Sequence, residues 1–234
     1  MNISTLRAGL ALVLFSVCLA GCAQVNGMKA GAASATFDWT GPDKRIVLVK
    51  PDIELAELTA GGLQEPRADW TNTAYSLVTK EVEDTLYKQS IAVTPLDTLT
   101  DPHDIQLQQL HAAVGVEILQ HGIGPAKLPT KGSALDWTLG PGVQDLRNRY
   151  HADYAMFMFI RDSYSSAGRK AVMLLGAMVG IGIQGGTQIA YVSVVDLRTG
   201  NVVWFNTLVS TTGDLRNAKD AGSFVADLLK GNPL

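Results

Sequence analysis

Two cysteines, four histidines and one glycine run are the residues of this 234-residue chain whose types and spacing could do chemistry. No cysteine follows Cys22, so no disulfide, zinc knuckle or thiol nucleophile is available beyond it. Cys22 closes the stretch Leu19-Ala20-Gly21-Cys22. His103, His111, His121 and His151 lack the spacing of metal ligands. No serine stands in G-x-S-x-G or S-x-x-K, and H-E-x-x-H is missing. Carboxylates are scattered, and spacing alone pairs none of them for acid–base work. Gly180-Ile181-Gly182-Ile183-Gln184-Gly185 spells G-x-G-x-x-G. A dinucleotide site needs those glycines between a strand and a helix, so that the pyrophosphate meets the helix N-terminus. The following "TQIAYVSVVD" is β-rich and supplies no such helix. Neither a cofactor, a metal nor an enzyme activity is expected.

The amino terminus explains Cys22. A short polar stretch carrying Arg7 and no acid precedes Ala8–Val17, an apolar run of ten residues. That is the length of a signal-peptide core and far short of a membrane span. The run ends in Leu19-Ala20-Gly21-Cys22, which resembles the lipobox of bacterial lipoproteins. The resemblance implies cleavage between Gly21 and Cys22 and acylation of the Cys22 thiol. Residues 1–21 are therefore read as a signal peptide. Acyl chains on Cys22 would anchor the chain stably, because each buried methylene contributes about 0.8 kcal/mol. Ala23 stands where an aspartate would favour the inner membrane, so the resemblance points to the outer membrane, facing the periplasm. The formal charge of −3 becomes one unit more negative when Arg7 is lost. Such a chain offers no electrostatic footprint for nucleic acid.

Residues 22–43 are rich in Ala, Gly and small polar residues without periodicity, and are read as a flexible tether. Fully extended, such a segment reaches roughly 60 Å. The folded domain is placed at 44–234. "KRIVLVKP" reads as a strand stopped by Pro51. A helix opening near Glu65–Asp69 shows Trp70, Ala74, Leu77, Val78, Val82 and Leu86 on one face. "SIAVTPL" is a short strand. A second helix over Pro102–Gln120 turns Leu107, Leu110, Val114 and Ile118 inward, and a third covers Gly142–Tyr150. "ADYAMFMFIRD" is a central strand. "TQIAYVSVVDLRTGNVVWFNTLVS" is a hairpin around Asp196–Gly200, and Ala218–Leu229 closes the chain as a helix. The fold class is α/β: a single domain, with a mixed sheet flanked by helices, a C-terminal β-hairpin and a closing helix.

The order of these elements resembles the periplasmic α/β domain shared by the curli-secretion lipoprotein, the outer-membrane lipoprotein activator of penicillin-binding proteins and the amino-terminal domain of TolB. The match is carried by Asp196, Thr199, Gly200 and Trp204 in the hairpin, after a strand that opens on Ala152 and Asp153. "EPRADWTNTAY" is also similar to a stretch of proteobacterial lipoproteins of this kind. The resemblance implies a binding or assembly module that acts on an envelope protein or on copies of itself.

Three features could serve that role. Arg161 and Asp162 end the central strand, where α/β domains place binding loops. Gly122–Gly142 is a long loop broken by Pro125, Pro129 and Pro141, with Trp137 on it as a partner anchor or as a tuck onto the core. Ala171–Gly186, "AVMLLGAMVGIGIQGG", is uncharged and too short to cross a membrane as a helix. It is read first as a buried crossover helix over 169–182, with Gly176 and Gly180 admitting a neighbouring backbone. The second reading is the first arm of a membrane hairpin, since large residues fall at odd positions from Met173 to Ile183. The function expected is a lipid-anchored accessory or assembly protein. A secretion-channel subunit with a hairpin near 171–196 is the alternative, and a cell-wall enzyme is more distant.

Overall fold

The computed structural model describes residues 29–33, 45–131 and 134–234, the first five by their backbone alone. Cys22 and its neighbours lie outside them, so the lipobox and the cleavage position are not among the described residues. The architecture is a mixed α/β single domain, as the sequence implies. One eight-stranded sheet follows the path Lys29–Ala33, Val202–Ser210, Gln188–Asp196, Tyr154–Ser165, Arg45–Val49, Ala92–Leu96, and the strands Asp52–Leu58 and Gln64–Pro66 branch from it.

The centre is β6 (Tyr154–Ser165), twelve residues long. Its alternation sends Met156, Met158 and Ile160 to one face and Ala155 and Phe157 to the other. The long helix α1 (Ala68–Lys88) covers the first face with Ala74, Val78, Val82 and Leu86, at the spacing read from the sequence. The closing helix α5 (Ala218–Leu228) lies beside it with Ala221, Phe224, Val225 and Leu228. The second face receives α2 (Pro102–Glu117) and the short α3 (Gln144–Tyr150) through Leu107 and Leu146. Both faces of a largely apolar strand are thus sealed, which is what a continuous apolar run requires.

Pro51 does not end the strand region, as its sequence position suggested. It separates β2 (Arg45–Val49) from β3 (Asp52–Leu58), and both pair in parallel with β6. Leu48 faces Met156 and Asp52 faces Phe159, so one extra residue is accommodated at the break. Proline has no N–H for the ladder, and an irregularity there is the physical outcome. β4 (Gln64–Pro66) returns along β3, and β5 (Ala92–Leu96) flanks β2. The hairpin β7 (Gln188–Asp196) and β8 (Val202–Ser210) forms as expected. Asp196 Oδ1 accepts from the amides of Arg198 (2.7 Å) and Thr199 (3.3 Å), and Gly200 takes φ +81°.

Two expectations are corrected here. The tether over 22–43 contains a strand, β1 (Lys29–Ala33), antiparallel to β8 with Lys29 opposite Leu208 and Ala33 opposite Trp204. Its "KAGAA" has no apolar alternation to announce it. It is held through its backbone, which covers an otherwise open sheet edge. In α2, Leu110 is exposed and Val114 half-buried, whereas Asp104, Leu107, His111 and Gly115 face the sheet. The cause is Tyr191, whose ring lies under Gly115. A Cβ on Gly115 would stand 2.1 Å from Tyr191 Cε2, and Tyr191 Oη donates to the carbonyl of Ala112 at 2.6 Å. The helix is therefore turned by a contact that apolar periodicity does not encode.

Candidate functional site

The chain between β6 and β7 holds the molecule's least conventional element. Ser166 caps α4 (Ala167–Met178) by accepting from the Arg169 amide at 3.1 Å. The helix ends in a Schellman turn. The Gly180 amide bonds the carbonyl of Ala177 (3.1 Å), that of Ile181 bonds Gly176 (2.8 Å), and Gly180 takes φ +79°. The G-x-G-x-x-G stretch thus terminates a helix rather than opening one, and the carbonyl end of a helix repels a phosphate. Of the two readings of Ala171–Gly186, the crossover helix is present as Ala167–Met178, but its burial and the hairpin arm are both corrected. The segment is helical through Met178, so it is not a hairpin arm, and the hairpin of this chain begins at Gln188. Nor is it buried, because among residues 171–182 only Gly176 is. The neighbour that Gly176 admits is its own return loop. A Cβ there would meet Ile183 Cδ1 at 2.7 Å and the carbonyl oxygen of Ile181 at 2.9 Å.

Beneath α4 lies a cleft of about 430 Å³, formed by the end of β6, residues 184–188 and residues 211–213. Lys170 and Met173 of α4 contribute to its wall. Its floor is polar because β6 changes character at Asp162. Register places Gln188 directly opposite Asp162, and Gln188 Nε2 donates to Asp162 Oδ2 at 2.8 Å. Tyr164 Oη donates to the same oxygen and accepts from the Leu215 amide at 2.7 Å. Burial pushes the Asp162 carboxyl up to about 6, with the bonds from Tyr164 and Gln188 offsetting part of that rise. Burial and the adjacent Asp162 both raise the Tyr164 phenol.

Arg216 extends this network outward. Its guanidinium is bidentate to Asp214, with Nε–Oδ1 at 2.8 Å and Nη2–Oδ2 at 2.7 Å. It stacks over the rings of Trp70 and Tyr164, 4.2 Å from each. Arg67 covers the Trp70 ring as well, at 4.5 Å, and pairs with Glu57 at 2.8 Å. Charge and aromatic surface satisfy each other here.

The sequence-chosen residues do not assemble. Arg161 and Asp162 are adjacent, so strand alternation sends them to opposite faces. Arg161 pairs with Asp52 at 2.9 Å and lies 4.0 Å over Phe159. Trp137 sits at the other end of the sheet. Its carbonyl accepts from the Val202 amide at 2.8 Å, its neighbour Thr138 bridges to Asn201, and its ring packs on the α2-side core. It tucks its loop onto the domain.

Of the histidines, His111 is the informative one. Its Nε2 lies 2.9 Å from Ser193 Oγ, and its ring stacks on Phe157. This resembles a nucleophile–base pair, but both residues are 1% exposed, and burial pushes the imidazole down to about 3. A base sealed from solvent and held neutral is a core hydrogen bond, not a reaction centre. His103 pairs with Asp145 at 3.4 Å and His121 with Glu117 at 3.5 Å, while His151 takes φ +50° at the end of α3. Among the described residues no group of three His, Cys, Asp or Glu side chains could hold a metal ion. No described helix is long and apolar enough to cross a membrane.

Neither a protein-family model nor a curated protein matches the chain. Among solved structures, the PelC dodecamer from Paraburkholderia phytofirmans is similar at 14% identity. The match covers 87% of this chain and 94% of that one, at a TM-score of 0.40. The LpoB C-terminal domain from Salmonella enterica is similar at 10% identity, over 71% of this chain and 82% of that one, at a TM-score of 0.28.

Proposed function

We propose that this chain is a lipid-anchored accessory or assembly protein of the outer membrane, facing the periplasm, and that it acts by binding an envelope partner rather than by catalysis. One observation carries the reading: Leu19-Ala20-Gly21-Cys22 closes a signal-like segment, and the first strand of the domain starts at Lys29. The anchor and the folded domain are thus joined by a short link.

The test is acylation. Cells producing the protein should incorporate labelled fatty acid into it, and Cys22→Ser should abolish the label and block cleavage after Gly21. Continued labelling of the variant overturns the anchor. Hydrolysis of peptidoglycan by the purified protein, lost on Asp162→Asn or Ser193→Ala with the fold intact, overturns the binding role.

A further inference from the structure

Leu174, Leu175, Met178 and Val179 stand on the outer surface of α4, and Ile181 follows on its terminal turn. They are 65%, 63%, 75%, 71% and 59% exposed. One exposed leucine is ordinary, whereas five large apolar side chains within eight residues form a patch that marks an interaction surface. Charge on this segment has one sign. No Asp or Glu occurs between Asp162 and Asp196, while Arg169 and Lys170 open the helix. Arg169 donates to the Gln184 carbonyl at 3.1 and 2.7 Å, whereas Lys170 is exposed in a first helical turn, where a cation opposes the helix dipole. Apolar bulk with basic residues at one end is the chemistry of a helix lying in a lipid–water interface, with its cations at phosphate level.

The topology says which surface is near. Lys29 of β1 pairs with Leu208, and Leu208 pairs with Ala190 of β7. From Lys29 toward Cys22 the chain therefore leaves at the end of the sheet where Asp162, Gln188 and Ser210 face one another. At that same end β6 stops, α4 follows and β7 begins. Seven residues lead from Lys29 to Cys22, a reach of at most about 25 Å. β1 stands three strands from β6, roughly 14 Å. The β7–β8 turn lies about 20 Å farther from the exit, down the length of β8. The link to Cys22 thus starts at α4's end of the sheet, and a membrane holding Cys22 lies within reach of α4.

We propose that α4 docks on the phospholipid bilayer that carries the acyl chains of Cys22. Leu174, Leu175, Met178, Val179 and Ile181 enter the acyl region, Lys170 meets the lipid phosphates, and the two attachments hold the domain in one orientation. The Trp137 loop and the β7–β8 turn are then presented to the periplasm. This inference rests on the acylation of Cys22 for its geometry, and the experiment separates the two.

The lipidated full chain, whose one retained cysteine is acylated, accepts a single reporter thiol. Leu175→Cys and, at the opposite end, Arg198→Cys are labelled with an environment-sensitive nitrobenzoxadiazole. Each is reconstituted in vesicles of phosphatidylethanolamine and phosphatidylglycerol, with and without acyl-brominated lipid, and Cys22 acylation is read by mass. The expected result is a blue shift and bromine quenching at 175 and neither at 198. Adding Met178→Asp and Val179→Asp to the 175 reporter should remove most of the quenching. A water-like reporter at 175 on acylated, vesicle-bound protein overturns the docking and leaves the proposed function standing. A blue shift at 175 that needs no lipid and is not quenched also overturns it, and assigns α4 to a second copy or a protein. Quenching at 175 on a chain without acyl groups upholds the docking and overturns the anchor.

Discussion

α4 and α5 are helices of nearly equal length with opposite fates. α5 repeats its large apolar residues on one stripe and buries Ala221, Phe224, Val225 and Leu228 beside α1. Asn206 ties its end to the sheet, donating to the carbonyl of Leu228 at 2.7 Å. α4 is richer in large apolar residues, yet the described contacts hold it mainly by its ends. These are the Ser166 cap, the bonds from Arg169 to the Gln184 carbonyl, and Gly176 against Ile183. The difference is topological. α5 follows the last strand and is free to run back along the sheet. α4 joins β6 to β7, which are antiparallel neighbours, so its connection must start and finish at the same end. Apolar content states that a surface is to be covered. It does not state that this chain covers it.

The two helices should respond differently to truncation. Phe224→Ala, which opens a cavity under α5, is expected to cost about 3–5 kcal/mol in urea unfolding. A loss as large for Leu175→Ala would mean that α4 is packed in the folded chain.

The floor beneath α4 responds to pH through Asp162. The folded-state pKa of Asp162 is raised to about 6, so the folded protein holds a proton that the unfolded chain has released from about pH 4 upward. Stability is therefore lost as pH rises from about 4 to about 6, and is flat above that window. Asp162→Asn keeps an acceptor for Tyr164 and Gln188 and removes this slope. Its gain over wild type should grow across that window to as much as roughly 3 kcal/mol. A difference that does not change with pH would place the carboxylate in water.

Gly176→Val must displace Ile183 and the Ile181 carbonyl, at about 1–3 kcal/mol. Gly180→Ala meets no atom within 4 Å but must adopt positive φ. It is expected to cost about 1 kcal/mol and to fray the helix end. Leu175→Ala, the smallest effect, should stay within about 0.5 kcal/mol in the absence of lipid.

Much of this molecule is local and was legible. Asp196, Thr199 and Gly200 make their turn from their own side chains and backbone freedom. Ala74, Val78, Val82 and Leu86 repeat at a spacing that only a helix puts on one face, and the apolar run of β6 announced a strand covered on both sides. Period-two alternation likewise separates Arg161 from Asp162. Other features depend on partners far along the chain. β1 has no side-chain pattern because the free edge of β8 is its reason to form. β3 resumes after Pro51 because β6 is long enough to receive it. The site beneath α4 gathers Asp162 with Gln188, and Tyr164 with Arg216 and Trp70, from strands and helices whose register no short window of sequence specifies. The exposure of α4 was decided last of all, because burial depends on whether a neighbour can reach a surface, and that is set by the direction of β7 beside β6.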